Sequence, residues 1–436
     1  MKMKKAIAFL ITTLLISSMG VGCSQQTASS GTSDNQTSTT TQTNTESAKT
    51  PKETPKEKKE VVIWDYFETD AQKAMMQTLI DGFNSSQEAF TASHVYVPFA
   101  DYEKQLTLGI ASGELPDIVI LDGCGMASFI SLGLFADITD EASDIKWDEY
   151  IQGPLESTMM DGKHYGIPFA TNCTALFYNK DMFDEAGLSY PDENTTWDEF
   201  KGMAKTLTKN GVFGFGNAGT NTDEGTFQCL QWLYTAGGSY TDIESGVDAY
   251  KLMQEMISDG SWTKECVNWT QSDVNNNFMA GNLAMQQNGP WQIPGIEANA
   301  PDLNYGVTVL PKKDASSGQA TSILGGENMG VVNKDDVGGA VAFLEYYDQT
   351  NVMVEAMKQY GSFPPKTEAA KDGYWTNDPV QAAFITQLET SIPRGPSAVW
   401  PSYSSAIQKG FQEVLTLSKT PEQAAKDTQA AVDAVK

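Results

Sequence analysis

Apolar and polar positions alternate with two periods along this chain. Residues 61–64 (Val-Val-Ile-Trp) are an apolar run ending at Asp65-Tyr66-Phe67, the pattern of a buried strand. A helix is predicted next, capped near Thr69-Asp70, with Met75, Leu79 and Phe83, and beside them Met76 and Ile80, on one face. Residues 94–97 read as a second strand, 102–112 as a helix, and 116–121 as a third strand closed by Asp122-Gly123. Strand, helix, strand, helix, strand at this spacing predicts a parallel α/β sheet. Ligands of such sheets gather beyond the carboxyl ends of the strands. Trp64, Asp65 and Asp122 are therefore candidates on topology alone.

The stretch 163–180 has a different pattern. A turn at Asp161-Gly162 leads into Tyr165-Gly-Ile-Pro168, which is extended because Pro168 biases Ile167 away from the helical region. Residues 174–178 (Thr-Ala-Leu-Phe-Tyr) have the content of a buried strand. The polar interruption 169–173 between them fits either a β-hairpin or a chain passing from one packed lobe to another. Further on, residues 175–187 predict a strand and a short helix stopped by Gly187. Thr196 caps the next helix with acids in its first turn. Residues 213–216 are a strand, a polar loop follows to Thr226, and 228–235 form a helix containing Trp232.

The first sixty residues lie outside this alternation. Three lysines precede the apolar run 6–16, too short for a membrane span and suited to a signal-peptide core, so residues 1–22 read as a leader. Residues 17–23 end in Cys23 and resemble a bacterial lipoprotein cleavage site, although Gly20 stands where leucine is usual. Residues 24–60, rich in Ser, Thr, Gln, Asn and Lys, are expected to be a flexible tether. This predicts a secreted protein held at the outer face of the cell membrane by lipid on Cys23.

At 436 residues the chain has room for two lobes. A formal charge of −27 argues against a nucleic-acid partner. Cys124, Cys173, Cys229 and Cys266 have no metal-ligand spacing, and with two histidines in the chain no metal or cofactor is expected. Two disulfides and four free thiols stay equally open. Of the nine tryptophans, Trp64, Trp232, Trp269, Trp291 and Trp400 draw attention, several lying beside Gly, Pro, Asn or Asp.

Seven weak motifs then occur in order: Trp64 after the first strand, Leu115-Pro-Asp-Ile-Val119, Tyr165-Gly-Ile-Pro168, Phe177-Tyr-Asn-Lys180, Thr196-Trp-Asp-Glu-Phe200, the run from Phe278 to Gly289-Pro-Trp291, and Gly306-Val-Thr-Val-Leu-Pro311. Together they resemble the extracellular solute-binding proteins of carbohydrate uptake, similar to maltose-binding protein, over residues 61–430. The resemblance implies an α/β fold of the two-lobed periplasmic-binding type (type II) with a ligand cleft between the lobes. Lobe 1 would be 61–170 plus 332–376, lobe 2 175–322 plus 385–436, and the crossings 171–174, 323–331 and 377–384. It also implies a sugar or oligosaccharide ligand, delivery by a monomer to the transmembrane subunits of an ABC permease, and no catalysis.

A sugar offers apolar C–H faces to aromatic rings and hydroxyls to carboxylates or amides. By the resemblance Trp291 is a stacking residue, and Trp400 falls near a second one. Asp65 and Asp122 would accept hydroxyls. Asn172 takes the place of a binding glutamate, and Leu121 stands where the relative has a tryptophan. Phe227 only weakly replaces an acidic and aromatic pair. Glu327 either faces ligand or caps a helix. Arg394, the chain's one arginine, binds a carboxylate of the protein or of the ligand. Acids and aromatics in a cleft also suit a secreted glycoside hydrolase, and the same fold could hold a polyamine or an iron complex. No Gly-x-Ser-x-Gly or phosphate-loop motif supports other chemistry.

Overall fold

Thr69 accepts from Gln72 N while the Gln72 side chain bonds back, a capping box that starts the helix Asp70–Ser86 and turns Met75, Met76, Leu79, Ile80 and Phe83 inward. In the computed structural model, which describes residues 58–435, this helix covers a five-stranded sheet. Lys59–Asp65, the central strand of a parallel trio, is flanked by Phe90–Tyr96 and Ile118–Asp122. Glu327–Val331 enters antiparallel beside Ile118–Asp122, and Gly166–Pro168 completes the order. The sheet is thus mixed, not parallel throughout. Its antiparallel member comes from about two hundred positions downstream, beyond the reach of local pattern.

A second sheet has the order Tyr305–Thr308, Ala175–Asn179, Leu283–Asn288, Phe213–Gly216. Its two inner strands, Ala175–Asn179 and Leu283–Asn288, are buried throughout. Helices Trp197–Leu207, Asp223–Thr235 and Val247–Asp259 surround it. Each sheet with its helices is one lobe of the fold.

The chain leaves the first sheet at Pro168 and joins the second at Ala175. Along the way Asn172 pairs with Gly325, which ties the first crossing to the second, and Thr171 pairs with Phe363. Gly326, at φ +128°, takes a backbone conformation closed to other residues, and a Cβ there would lie 2.2 Å from Ala170 O. Two expected boundaries shift. Residues 327–331, expected within the second crossing, are a complete strand of the first sheet, which narrows that crossing to about 324–326. From Pro379 the third crossing is already the helix Pro379–Leu388, whose Phe384 packs edge-on against Phe177 of the second sheet.

Cys124, Cys173, Cys229 and Cys266 are free thiols, the last three buried. Among the described residues no helix is long and apolar enough to cross a membrane. The leader, Cys23 and most of the tether lie outside the described residues.

Candidate functional site

Both lobes and the crossings contribute to one cavity of about 290 Å³. Tyr66 and Phe99 form an aromatic wall from the first lobe, their rings 4.9 Å apart and edge to face. Phe227 and Trp291 form the facing wall. Asn172, Gly325, Gly326 and Glu327 make the floor. The Trp291 ring occupies the space that a side chain at position 289 would take: a Cβ on Gly289 would stand 1.9 Å from it.

Five of the expected ligand residues meet here: Asp122, Asn172, Trp291, Glu327 and Arg394. Four do not. Trp64 packs beside the Tyr102 and Leu106 cluster of the first lobe, and its carbonyl accepts from Tyr102 OH at 2.7 Å. Asp65 is fully buried: Oδ2 lies 2.6 Å from His94 Nδ1 on the neighbouring strand, and Oδ1 accepts from Phe67 N at 3.0 Å. That carboxylate hydrogen bond raises the imidazole pKa of His94. Trp232 is a core residue of the second lobe, stacked on Phe200 and donating to Gln287 Oε1 at 2.7 Å. Trp400 is fully buried behind the cavity wall, its Nε1 donating to Asp223 Oδ1 at 2.9 Å. That hydrogen bond orients the carboxylate, and the ring, at 0% exposure, is not among the cavity-lining residues.

Arg394, only 2% exposed, bridges the lobes. Nη2 reaches both oxygens of Asp122 at 2.6 Å and Nη1 reaches Asp223 Oδ2 at 2.9 Å, while the guanidinium lies 4.6 Å over the Phe227 ring. Asp122, Cys124 and Asp223 cluster closely enough to suggest metal ligands, but the guanidinium already supplies the positive charge there. Burial pushes the Asp223 carboxyl up, opposed by Arg394. A second contact joins the lobes at the rim, where Ser272 Oγ donates to Glu68 Oε1 at 2.5 Å.

Glu327 sits in a strand and caps no helix. Its Oε1 accepts from Tyr360 OH at 2.7 Å and Tyr66 OH at 3.4 Å, while Oε2 has no partner among the described residues. Burial pushes its pKa up to about 7, and the charge of Asp122 adds to the effect. Glu224, which accepts from Gln271 N at 2.6 Å, is likewise pushed up to about 7 by burial.

Residues 78–383 match the family described as bacterial extracellular solute-binding protein. The chain belongs to that family. A lactose-binding protein of Rhizobium radiobacter is 27% identical, over 62% of this chain and 65% of its own length. A sn-glycerol-3-phosphate-binding periplasmic protein of Agrobacterium fabrum is 25% identical, over 76% and 80%. Among solved structures, the GacH receptor of Streptomyces glaucescens, crystallised unliganded and with acarbose, superposes with a TM-score of 0.79 at 23% identity, covering 87% of this chain and all of that one.

Several residues of this solute-binding protein that line its cleft escaped the sequence reading: Tyr66, Phe99, Asp223, Glu224 and Tyr360. Phe227, read there only as a weak substitute, lines the cavity beside Trp291. Asp223 and Phe227 are four apart on the helix Asp223–Thr235, hence on one face. Acids in a first turn with an aromatic one turn later were the available signal, hidden because 217–226 read as loop.

Proposed function

We propose that this protein captures a sugar or oligosaccharide in the cleft between its lobes and hands it to the transmembrane subunits of an ABC importer. One observation carries the reading: aromatic walls from both lobes face each other across a floor of amide and carboxylate groups. Rings match the C–H faces of a sugar, and acceptors match its hydroxyls. The lactose-binding relative supports the ligand class. Asp122, Asn172, Trp291, Glu327 and Arg394 are the proposed contacts, joined by Tyr66, Phe227 and Glu224. The lobes close as rigid bodies about the crossings near 171–174, 324–326 and 377–378.

Hydrolysis needs a free acid and base flanking one bond. Asp122 and Asp223 are both engaged by Arg394, which favours binding without turnover. Thermal-shift screening against mono- and oligosaccharides is the test, since a ligand bound only by the native state raises Tm. At least one saccharide is expected to raise it and to be recovered intact. Products accumulating with pure protein, and lost on mutating one cleft acid, would establish the hydrolase instead.

The protein works as a monomer at the outer face of the cell membrane, anchored through lipid on Cys23. Mass spectrometry of the mature protein is expected to find a lipidated Cys23 as its first residue. An intact Met1 or an unmodified Cys23 refutes the anchor and leaves the ligand reading untouched.

A further inference from the structure

We propose that the cleft selects an amine-bearing saccharide, with Glu327 receiving the ammonium group. This rests on the sugar-binding reading above and specifies its substrate class. Five acids line the cavity (Glu68, Asp122, Asp223, Glu224 and Glu327) against one cation, Arg394. No lysine or histidine shares the lining. The Arg394 charge is already shared between Asp122 and Asp223. Glu68 accepts a serine hydroxyl and Glu224 a backbone N–H.

Glu327 stands apart from these four. It is 7% exposed, lines the cavity, and keeps Oε2 without a partner among the described residues. Its two partners, Tyr66 and Tyr360, are phenols whose pKa values burial pushes well above the usual range, so they stay neutral donors. A buried acceptor left unmade is costly, and burial without a counter-charge disfavours the ionised carboxylate, which is why its pKa is pushed up to about 7. A sugar hydroxyl would fill the hydrogen bond and leave ionisation disfavoured. An ammonium fills the bond and stabilises the ionised form, through a charge-assisted bond of about twice the neutral strength. The rings of Tyr66 and Trp291 line the same cavity, and aromatic faces favour a cation. A phosphate or a uronate would meet five acids and an arginine whose terminal nitrogens are taken.

The test is calorimetry at pH 7 on the mature chain with glucosamine, galactosamine, mannosamine and the chitosan disaccharide. Their neutral counterparts (glucose, galactose, mannose and cellobiose), their N-acetyl forms and the hexose 6-phosphates complete the panel. At least one amine is expected to bind about 10- to 100-fold more tightly than its neutral and N-acetyl counterparts. Glu327→Gln should erase that preference while keeping the shape of the side chain. The wild-type ranking decides the ligand class whether or not the variant folds. Neutral or phosphorylated sugars binding as well as the amines overturn the inference and leave the sugar-binding reading standing. A preference that survives Glu327→Gln removes Glu327 from the assignment. Failure of the whole panel to bind, with a carbohydrate-wide thermal screen also negative, overturns both.

Discussion

Arg394→Met is expected to destabilise the protein by about 3–5 kcal/mol, the range for removing one partner of a buried ion pair. The substitution keeps an apolar stem of similar length but removes a guanidinium that is 2% exposed and bonded to two carboxylates. Asp122 and Asp223 would then face each other, one at the end of a first-lobe strand and the other at the start of a second-lobe helix. Two uncompensated acids in a partly buried cleft repel, and both lose the hydrogen bonds that Arg394 donated. Arg394→Lys should fall between, since an ammonium keeps the charge but cannot fork across two partners. Adding Asp122→Asn and Asp223→Asn to Arg394→Met should recover most of the loss, because the three groups form one network. Urea denaturation of the single, triple and parent chains measures this. A loss below about 1 kcal/mol for Arg394→Met, the scale of an exposed pair, would show that the bridge contributes little in solution.

The network also shows where sequence stops being informative. Arg394 stands out in the sequence as the chain's one arginine, and a carboxylate of the protein is one of the two partners expected for it. Its partners lie 272 and 171 positions away, and no local pattern joins them. The first three strands and their helices were legible because apolar period and caps act locally, as with Thr69 and Thr196. Strand ends were legible too, but not which residue there faces the cleft. The sequence rule pointed to Trp64 and Asp65, and the structure uses Tyr66. The direction of one side chain depends on its neighbours: Asp65 turns to His94, and Trp64 to the Tyr102 cluster. Tryptophans beside turn residues misled for a similar reason. A neighbouring Pro or Gly sets the backbone without deciding burial, so Trp291 and Trp400 look alike in sequence. One lines the cavity while the other is enclosed at 0% exposure.

For Trp291 that difference yields a measurable expectation. Trp291→Ala should weaken saccharide binding by about 2–4 kcal/mol, roughly 30- to 1,000-fold, as for a central aromatic anchor. The ring is 9% exposed and tilted against Phe227 at 6.3 Å, so part of its surface also packs within the second lobe. Some stability should therefore be lost, but less than the ~3–5 kcal/mol of an enclosed Trp→Ala change. The space left would join the 290 Å³ cleft and not form a sealed void. Trp291→Phe should retain part of the affinity by keeping a smaller face for C–H contacts. Gly289→Ala offers an independent route, since its Cβ would fall within the present position of the ring and push it aside. That variant should lower affinity while every cavity-lining side chain is kept. Calorimetry beside a denaturation curve separates the two roles of the ring. If Trp291→Ala leaves affinity unchanged while Tm falls sharply, the ring is a packing residue, and the second lobe's aromatic contact with sugar reduces to Phe227.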